Sequence, residues 1–140
     1  MYEAIGGEPA LRELVDDFYA KVLADPLLRP VFVNFTEQHL DHVVVWLAEV
    51  FGGPARFTEQ LGGHLHILQA HHDLGITEEQ RARWAELMAE SARVTLPADE
   101  HLQDSFNRYI RWGTEIARDV SAPGEPYPTE AGDVPRWEWP

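Results

Sequence analysis

Cysteine is absent from the chain, and that absence removes a disulfide framework, an iron–sulfur cluster and a cysteine-held zinc site together. A cytoplasmic setting is the expectation that follows. Lysine is almost absent as well: Lys21 is the single one, and 11 basic residues face 24 acidic ones for a net charge of -13. A surface of that sign repels phosphate backbones and anionic lipid, and no local basic cluster interrupts it, so neither nucleic acid nor a membrane surface is an expected partner. No apolar run reaches the roughly 18 residues that a membrane-spanning helix needs. Residues 1–10, MYEAIGGEPA, carry neither a basic region nor an apolar run, so a cleaved secretory leader is not expected. The 140 residues fit one domain, a size that buries about 68% of the unfolded chain's surface.

What is present is helical periodicity, punctuated by glycine and proline. Leu11, Leu14, Val15, Phe18 and Val22 recur at three and four, with charged residues set between them, and Tyr19 lies on the edge of that stripe. Asp25-Pro26 ends the helix, because the residue before proline is pushed out of helical geometry. Leu27 and Leu28 then read as a short helical turn limited by Pro30, and Val33 to Phe35 as connection. Thr36 is a candidate N-cap for a helix from Glu37 to Phe51, on which His39, Val43 and Trp46 share a face. Gly52-Gly53-Pro54 stops it. A capping box, Thr77 with Gln80, opens a helix whose inward face is Trp84, Leu87, Met88 and Ser91. After Leu96-Pro97, Asp99 and Glu100 begin a last long helix with a face of Leu102, Phe106, Tyr109, Ile110, Gly113 and Ile116. The fold class is all-α.

Between these helices lies Gly63 to Trp84, which holds four of the seven histidines. His64 and His66 are two apart and His71 and His72 adjacent, so neither pair shares a helix face. There is no HExxH and no acidic pair placed beside two histidines, so a metal-dependent hydrolase is a weak reading. One histidine, His71 or His72, acting as the single axial ligand of a cofactor fits better. Leu65, Leu68 and His71 fall at three-residue spacing, which would give that ligand an aliphatic side.

His71 stands thirteen residues before Trp84, and upstream are FYAKVLADPLLRPVF (residues 18–32) and WLAEVFGGP (residues 46–54). In this order the stretches resemble the truncated haemoglobins, and Trp84 resembles the distal-pocket tryptophan of their second group. The resemblance runs from about Tyr2 to Ile116. It implies a two-over-two helical sandwich around haem b (iron protoporphyrin IX), with His71 as the proximal iron ligand and His72 the competing register. It also implies Phe32 flat against the haem, and Tyr19, His39 and Trp84 above the bound ligand. Val43, Trp46 and Leu68 would line the pocket. Three departures bear on this. His39 replaces the small residue commonest there, and His42 competes with it, either for the ligand or for a haem propionate. Phe57 lacks a hydroxyl that usually helps anchor a propionate, which leaves Arg56 and His64 as substitutes. His72-Asp73 stands where proline commonly follows the ligand, and His72 is expected to be exposed.

The resemblance implies reversible binding of oxygen and other diatomic ligands. Peroxide or nitric oxide turnover, served by a reductase, could draw on the same residues. The rival from another class is a non-haem helical interaction domain with surface histidines. Beyond a globin domain at residues 1–120, residues 121–140 form an extension with five of the ten prolines, Trp137 and Trp139. Its composition reads as extended linker, yet two tryptophans imply that it folds back or meets another subunit. Monomer and homodimer both remain open.

Overall fold

The computed structural model describes residues 1–137, so Trp139 lies outside the described residues. Seven α-helices are found among the described residues: α1 (Tyr2–Ile5), α2 (Gly7–Ala24), α3 (Glu37–Val50), α4 (Arg56–Gln60), α5 (Gly63–His71), α6 (Glu78–Thr95) and α7 (Glu100–Val120). A 3-10 turn, Arg29–Phe32, joins α2 to α3, and no strand occurs among the described residues. The dominant packings are α2 on α3, α2 on α6 and α6 on α7, a two-over-two arrangement.

Local chemistry explains the boundaries. The hydroxyls of Thr36, Thr77 and the carboxylate of Asp99 accept from the amides of His39, Gln80 and Leu102, satisfying donors that a helix start leaves orphaned. Gln80 returns the bond to the Thr77 amide and completes the capping box. Pro30 does not limit a turn begun at Leu27. It sits in the first turn of Arg29–Phe32, where its missing N–H costs nothing. Leu27 and Leu28 instead donate their amides to Asp25 Oδ1, while Arg83 Nε donates to Asp25 Oδ2 at 2.8 Å, so this corner is tied to α6. Phe51 is the capping residue that closes α3. Gly53 is required by close approach, since a Cβ there would meet the Tyr2 ring and the Ala48 carbonyl at 2.8 Å.

The core runs through the α2, α3, α6 and α7 faces: Leu11, Leu14, Phe18, Leu47, Phe51, Met88, Leu102 and Phe106 are essentially inaccessible. Glu49 is buried among them at 3% exposure. Its carboxylate accepts from the Thr58 amide at 2.8 Å and from the Thr58 hydroxyl, and so serves the start of α4, which Ala55 cannot cap.

The segment after α7 folds back on the domain. The Trp137 amide donates to the Val50 carbonyl at 2.7 Å and its indole N–H to Ser105 Oγ at 3.2 Å, with the ring against Tyr109 and Trp112. Trp137 is largely buried and Val134 almost completely so.

Phe18, fully buried, packs edge-on against both Tyr19 and Trp84 behind the cavity described next. Phe18→Ala is expected to lower the unfolding free energy by ~3–5 kcal/mol, the range for emptying a buried phenylalanine site. Urea unfolding curves measure it, and a loss under about 1 kcal/mol would mean that the surrounding rings collapse into the space.

Candidate functional site

A cavity of about 450 Å³ opens between α3 and α5, backed by α2, α6 and α7. Its size falls within the ~300–1,000 Å³ typical of small-molecule and cofactor pockets. Of the residues singled out from sequence, Tyr19, Phe32, His39, His42, Val43, Trp46, His64, Leu68, His71 and Trp84 line it. Arg56 does not. Its guanidinium lies 3.0 Å from Glu8, which joins the start of α2 to α4.

The α5 side is built around one hydrogen bond. Gly62 and Gly63 take positive φ values of 95° and 66°, which let the chain turn sharply into the helix. At the other end His72 leaves helical geometry and Asp73 enters the left-handed region at φ 60°, a conformation Asp tolerates better than most side chains. In the last turn, His71 Nδ1 lies 2.7 Å from the Ile67 carbonyl oxygen. A carbonyl only accepts, so Nδ1 carries the proton and Nε2 keeps its lone pair. Nε2 has no partner among the described residues. Burial, the larger influence, lowers the His71 pKa below the ordinary 6.5, against a smaller upward push from Ile67. The imidazole is therefore neutral at pH 7 and able to ligate.

The adjacent histidine points elsewhere. His72 is outside the cavity lining, and its ring meets Tyr127 of the C-terminal segment edge-on at 5.1 Å. It is half-buried rather than exposed, because that segment covers it.

Facing α5 stand groups from α2, α3 and α6. Tyr19, 3% exposed, places its hydroxyl 3.2 Å from His39 Nε2. Burial pushes the phenol pKa far above its ordinary value, so it stays protonated. Thr36 fixes His39 by accepting its backbone amide. His39 stays substantially exposed at the rim, and only its inner edge is desolvated. That desolvation is the largest cause of its lowered pKa, followed by the repulsion that His42 and His71 exert in their protonated forms. His39 and His42 both border the cavity, but His39 is the one bonded to Tyr19. Trp84 packs edge-on against Phe18 at 4.7 Å, and its indole N–H has no protein partner among the described residues. His64 Nδ1 is buried without a partner, and desolvation lowers its pKa.

Phe35, read from sequence as connection, packs on Tyr19 at 4.9 Å and on His39 at 5.5 Å. It lies outside any helix, so periodicity could not find it. The signal available was an aromatic three residues after Phe32. Tyr109, Trp112 and Pro135 also reach the lining.

The residues present fit an iron porphyrin. The chamber is mostly apolar, one neutral imidazole offers a free nitrogen, and hydroxyl, imidazole and indole groups stand opposite. No group of three His, Asp or Glu side chains converges as a protein-only metal centre would, among the described residues.

Similarity to known proteins extends over most of the chain. A family model described as bacterial-like globin matches residues 1–112. The chain is 36% identical over 90 residues to the group 2 truncated hemoglobin YjbI of Bacillus subtilis, covering 64% of this chain and 67% of that protein. It thus spans about two thirds of that relative's length. Among solved structures, the hemoglobin of Chloroflexus aurantiacus is similar at TM-score 0.74 and 33% identity, over 83% of this chain and 94% of that one. The group II truncated hemoglobin of Bacillus anthracis gives TM-score 0.75 and 26% identity over 94% of each chain.

Three imidazoles at this cavity, His39, His64 and His71, have lowered pKa values. Their neutral forms are favoured by folding, so their contribution is present above pH 6.5, the ordinary value, and is lost as pH falls through the folded values. The melting temperature of the haem-free chain should accordingly hold above pH 6.5 and begin to fall below it. That decline should precede the response of Glu78, whose carboxyl two arginines, Arg81 and then Arg118, hold down to about 2. The double variant His39→Gln/His64→Gln should flatten the first decline, and an unchanged profile would mean that these rings do not titrate with folding.

Proposed function

The chain belongs to the bacterial-like globin family, and from that premise we propose that its cavity holds haem b through His71 and binds oxygen and other diatomic ligands reversibly beside Tyr19, His39 and Trp84. The observation that carries the reading is His71, with Nδ1 committed to the Ile67 carbonyl and Nε2 free, across one cavity from the Tyr19–His39 pair.

Haem, when bound, supplies an iron centre for reversible coordination and for one-electron chemistry. The chain's own contribution is orientation, polarity and exclusion of water. The Ile67 bond sets the His71 tautomer and ring direction, as second-sphere bonds to ligating histidines commonly do. Leu68 and Ile67 of α5 supply apolar surface beside His71, and Phe32 and Val43 supply more from the segment and helix that precede it. His64 and His42, which line the cavity, would be the imidazoles available to propionates, since Arg56 is engaged by Glu8.

Proton position governs the distal side. When Tyr19 donates to His39 Nε2, its hydrogen is spent within the pair. When His39 Nε2 carries the proton and donates to the phenol oxygen, the Tyr19 O–H is released toward a ligand. A diatomic ligand that draws negative charge selects the second arrangement, since charged acceptors strengthen such bonds. The Trp84 N–H can only donate, and with no protein partner among the described residues it is available to a ligand in the cavity. Several donors around one ligand slow its escape, which suits oxygen chemistry, sensing or detoxification better than bulk delivery. Turnover of peroxide or nitric oxide, with electrons from a reductase, is the enzymatic extension of this reading, in a cytoplasmic protein. A non-haem interaction domain is not favoured, because it offers no reason for one neutral, oriented imidazole inside an apolar chamber.

A hydrogen bond to a charged acceptor contributes ~1.5–3 kcal/mol, and ~1.4 kcal/mol is a factor of ten. Trp84→Phe in the haem-loaded protein is therefore expected to speed oxygen dissociation roughly ten-fold or more. Tyr19→Phe should do less, because the His39 Nε2 proton is then freed to replace the lost hydroxyl. Stopped-flow dissociation read beside melting curves separates donation from packing: a destabilised Trp84→Phe protein with an unchanged off-rate would remove Trp84 from the ligand's surroundings.

A further inference from the structure

The helix that carries His71 has almost no core of its own. Among the nine residues of α5 only Gly63 is buried, and its N-terminus is a pair of positive-φ glycines. Such a helix, short and hinged at one end, is held by what packs on it rather than by its own interior. The bonds that reach its other end come from the chain after α7. Ser121, fully buried, accepts the Ile76 amide at its hydroxyl (3.0 Å) and the Gly75 amide at its carbonyl (2.8 Å), fixing the loop that leaves α5. Gln69 Nε2, in the last turn of α5, donates to the Pro128 carbonyl at 3.1 Å. Tyr127 lies edge-on to His72, the residue that ends the helix. Farther along, Pro135 enters the cavity lining, Val134 is buried, and Trp137 is moored to α3 through Val50 and to α7 through Ser105.

We propose that residues 125–137 act as a clamp that positions α5 and thereby His71. The strap bonds directly to Gln69 and packs on His72, so it brackets His71 on both sides in sequence, while its mooring lies on α3 and α7, the rigid part of the domain. Tyr127 and Gln69 are positioning residues in this scheme, and neither lines the part of the cavity that meets a ligand. Loss of the clamp frees the last turn of α5 and leaves α2, α3, α6 and α7 packed as before. The consequence for cofactor retention rests on the proposed haem-binding function; the ordering of α5 does not.

The test is amide hydrogen exchange on the purified full-length chain and on a truncation after Gly124, which keeps Ser121 and all of α7, each with and without added haem. The clamp predicts exchange of residues 64–72 at least roughly ten-fold faster in the truncated chain, with α2 changed little. Tyr127→Ala combined with Gln69→Ala should reproduce that local loss in the full-length chain if the truncation does not fold, and Tyr127→Phe, which keeps the ring contact, should leave protection intact. In haem-loaded protein the same variants should surrender haem to a scavenger globin roughly ten-fold faster than the parent. Equal protection of residues 64–72 in all variants, or a rise no larger than that in α2, would overturn the clamp. Absence of haem binding in the parent would overturn the proposed function instead, while the exchange comparison without haem would still decide the clamp.

Discussion

One hydrogen bond, from His71 Nδ1 to the carbonyl of Ile67, decides what the cavity can hold. Without it an imidazole can present either nitrogen, rotate about its side-chain bonds, and accept as readily as it donates. With it the proton is assigned, the ring plane is fixed against α5, and a neutral nitrogen remains without a protein partner in an apolar chamber. The bond follows from helical geometry alone, since residues 67 and 71 are one turn apart. It therefore depends on α5 staying helical through His71 and ending at His72.

The two sides of the cavity are held differently. Tyr19, Phe18 and Trp84 belong to the long helices α2 and α6, and the buried Phe18 ring meets each of the other two edge-on. The donors proposed for a ligand are thereby fixed by the same side chains that stabilise the fold. The α5 side is more lightly held: the short helix packs on α4 and α7, and Gly63 is its one buried residue. Loop bonds to Ser121 and a bond from Gln69 to the returning C-terminal segment add to that packing.

The helices were legible because their ends carry chemistry that depends on few neighbours. Thr36, Thr77 and Asp99 are caps by the geometry of the first turn, and the glycine pairs and Leu96-Pro97 interrupt helices whatever surrounds them. The membership of the cavity lining was legible mainly through the order of FYAKVLADPLLRPVF, WLAEVFGGP and the His71 to Trp84 spacing. Where tertiary contacts decide, sequence was silent. Arg56 was a reasonable propionate anchor until Glu8, 48 residues away in sequence, engaged it. His72 was expected to be exposed because nothing local announces that Tyr127 returns to cover it. Phe35 joined the Tyr19 cluster from irregular backbone, where no period marks a buried face. Pro30 was read as a stop, although the same rigid φ that ends a helix also suits its first turn.

The central claim is that His71 alone holds the cofactor, and haem titration of two variants tests it most directly. His71→Gly should lose the sharp Soret band of the parent and recover it with added imidazole, which fills the space left by the side chain. His72→Ala, altered outside the cavity, should titrate with one equivalent of haem and give the parent spectrum. A His71→Gly protein that binds haem with the parent spectrum in the absence of imidazole, or a His72→Ala protein that does not bind it, would contradict the account.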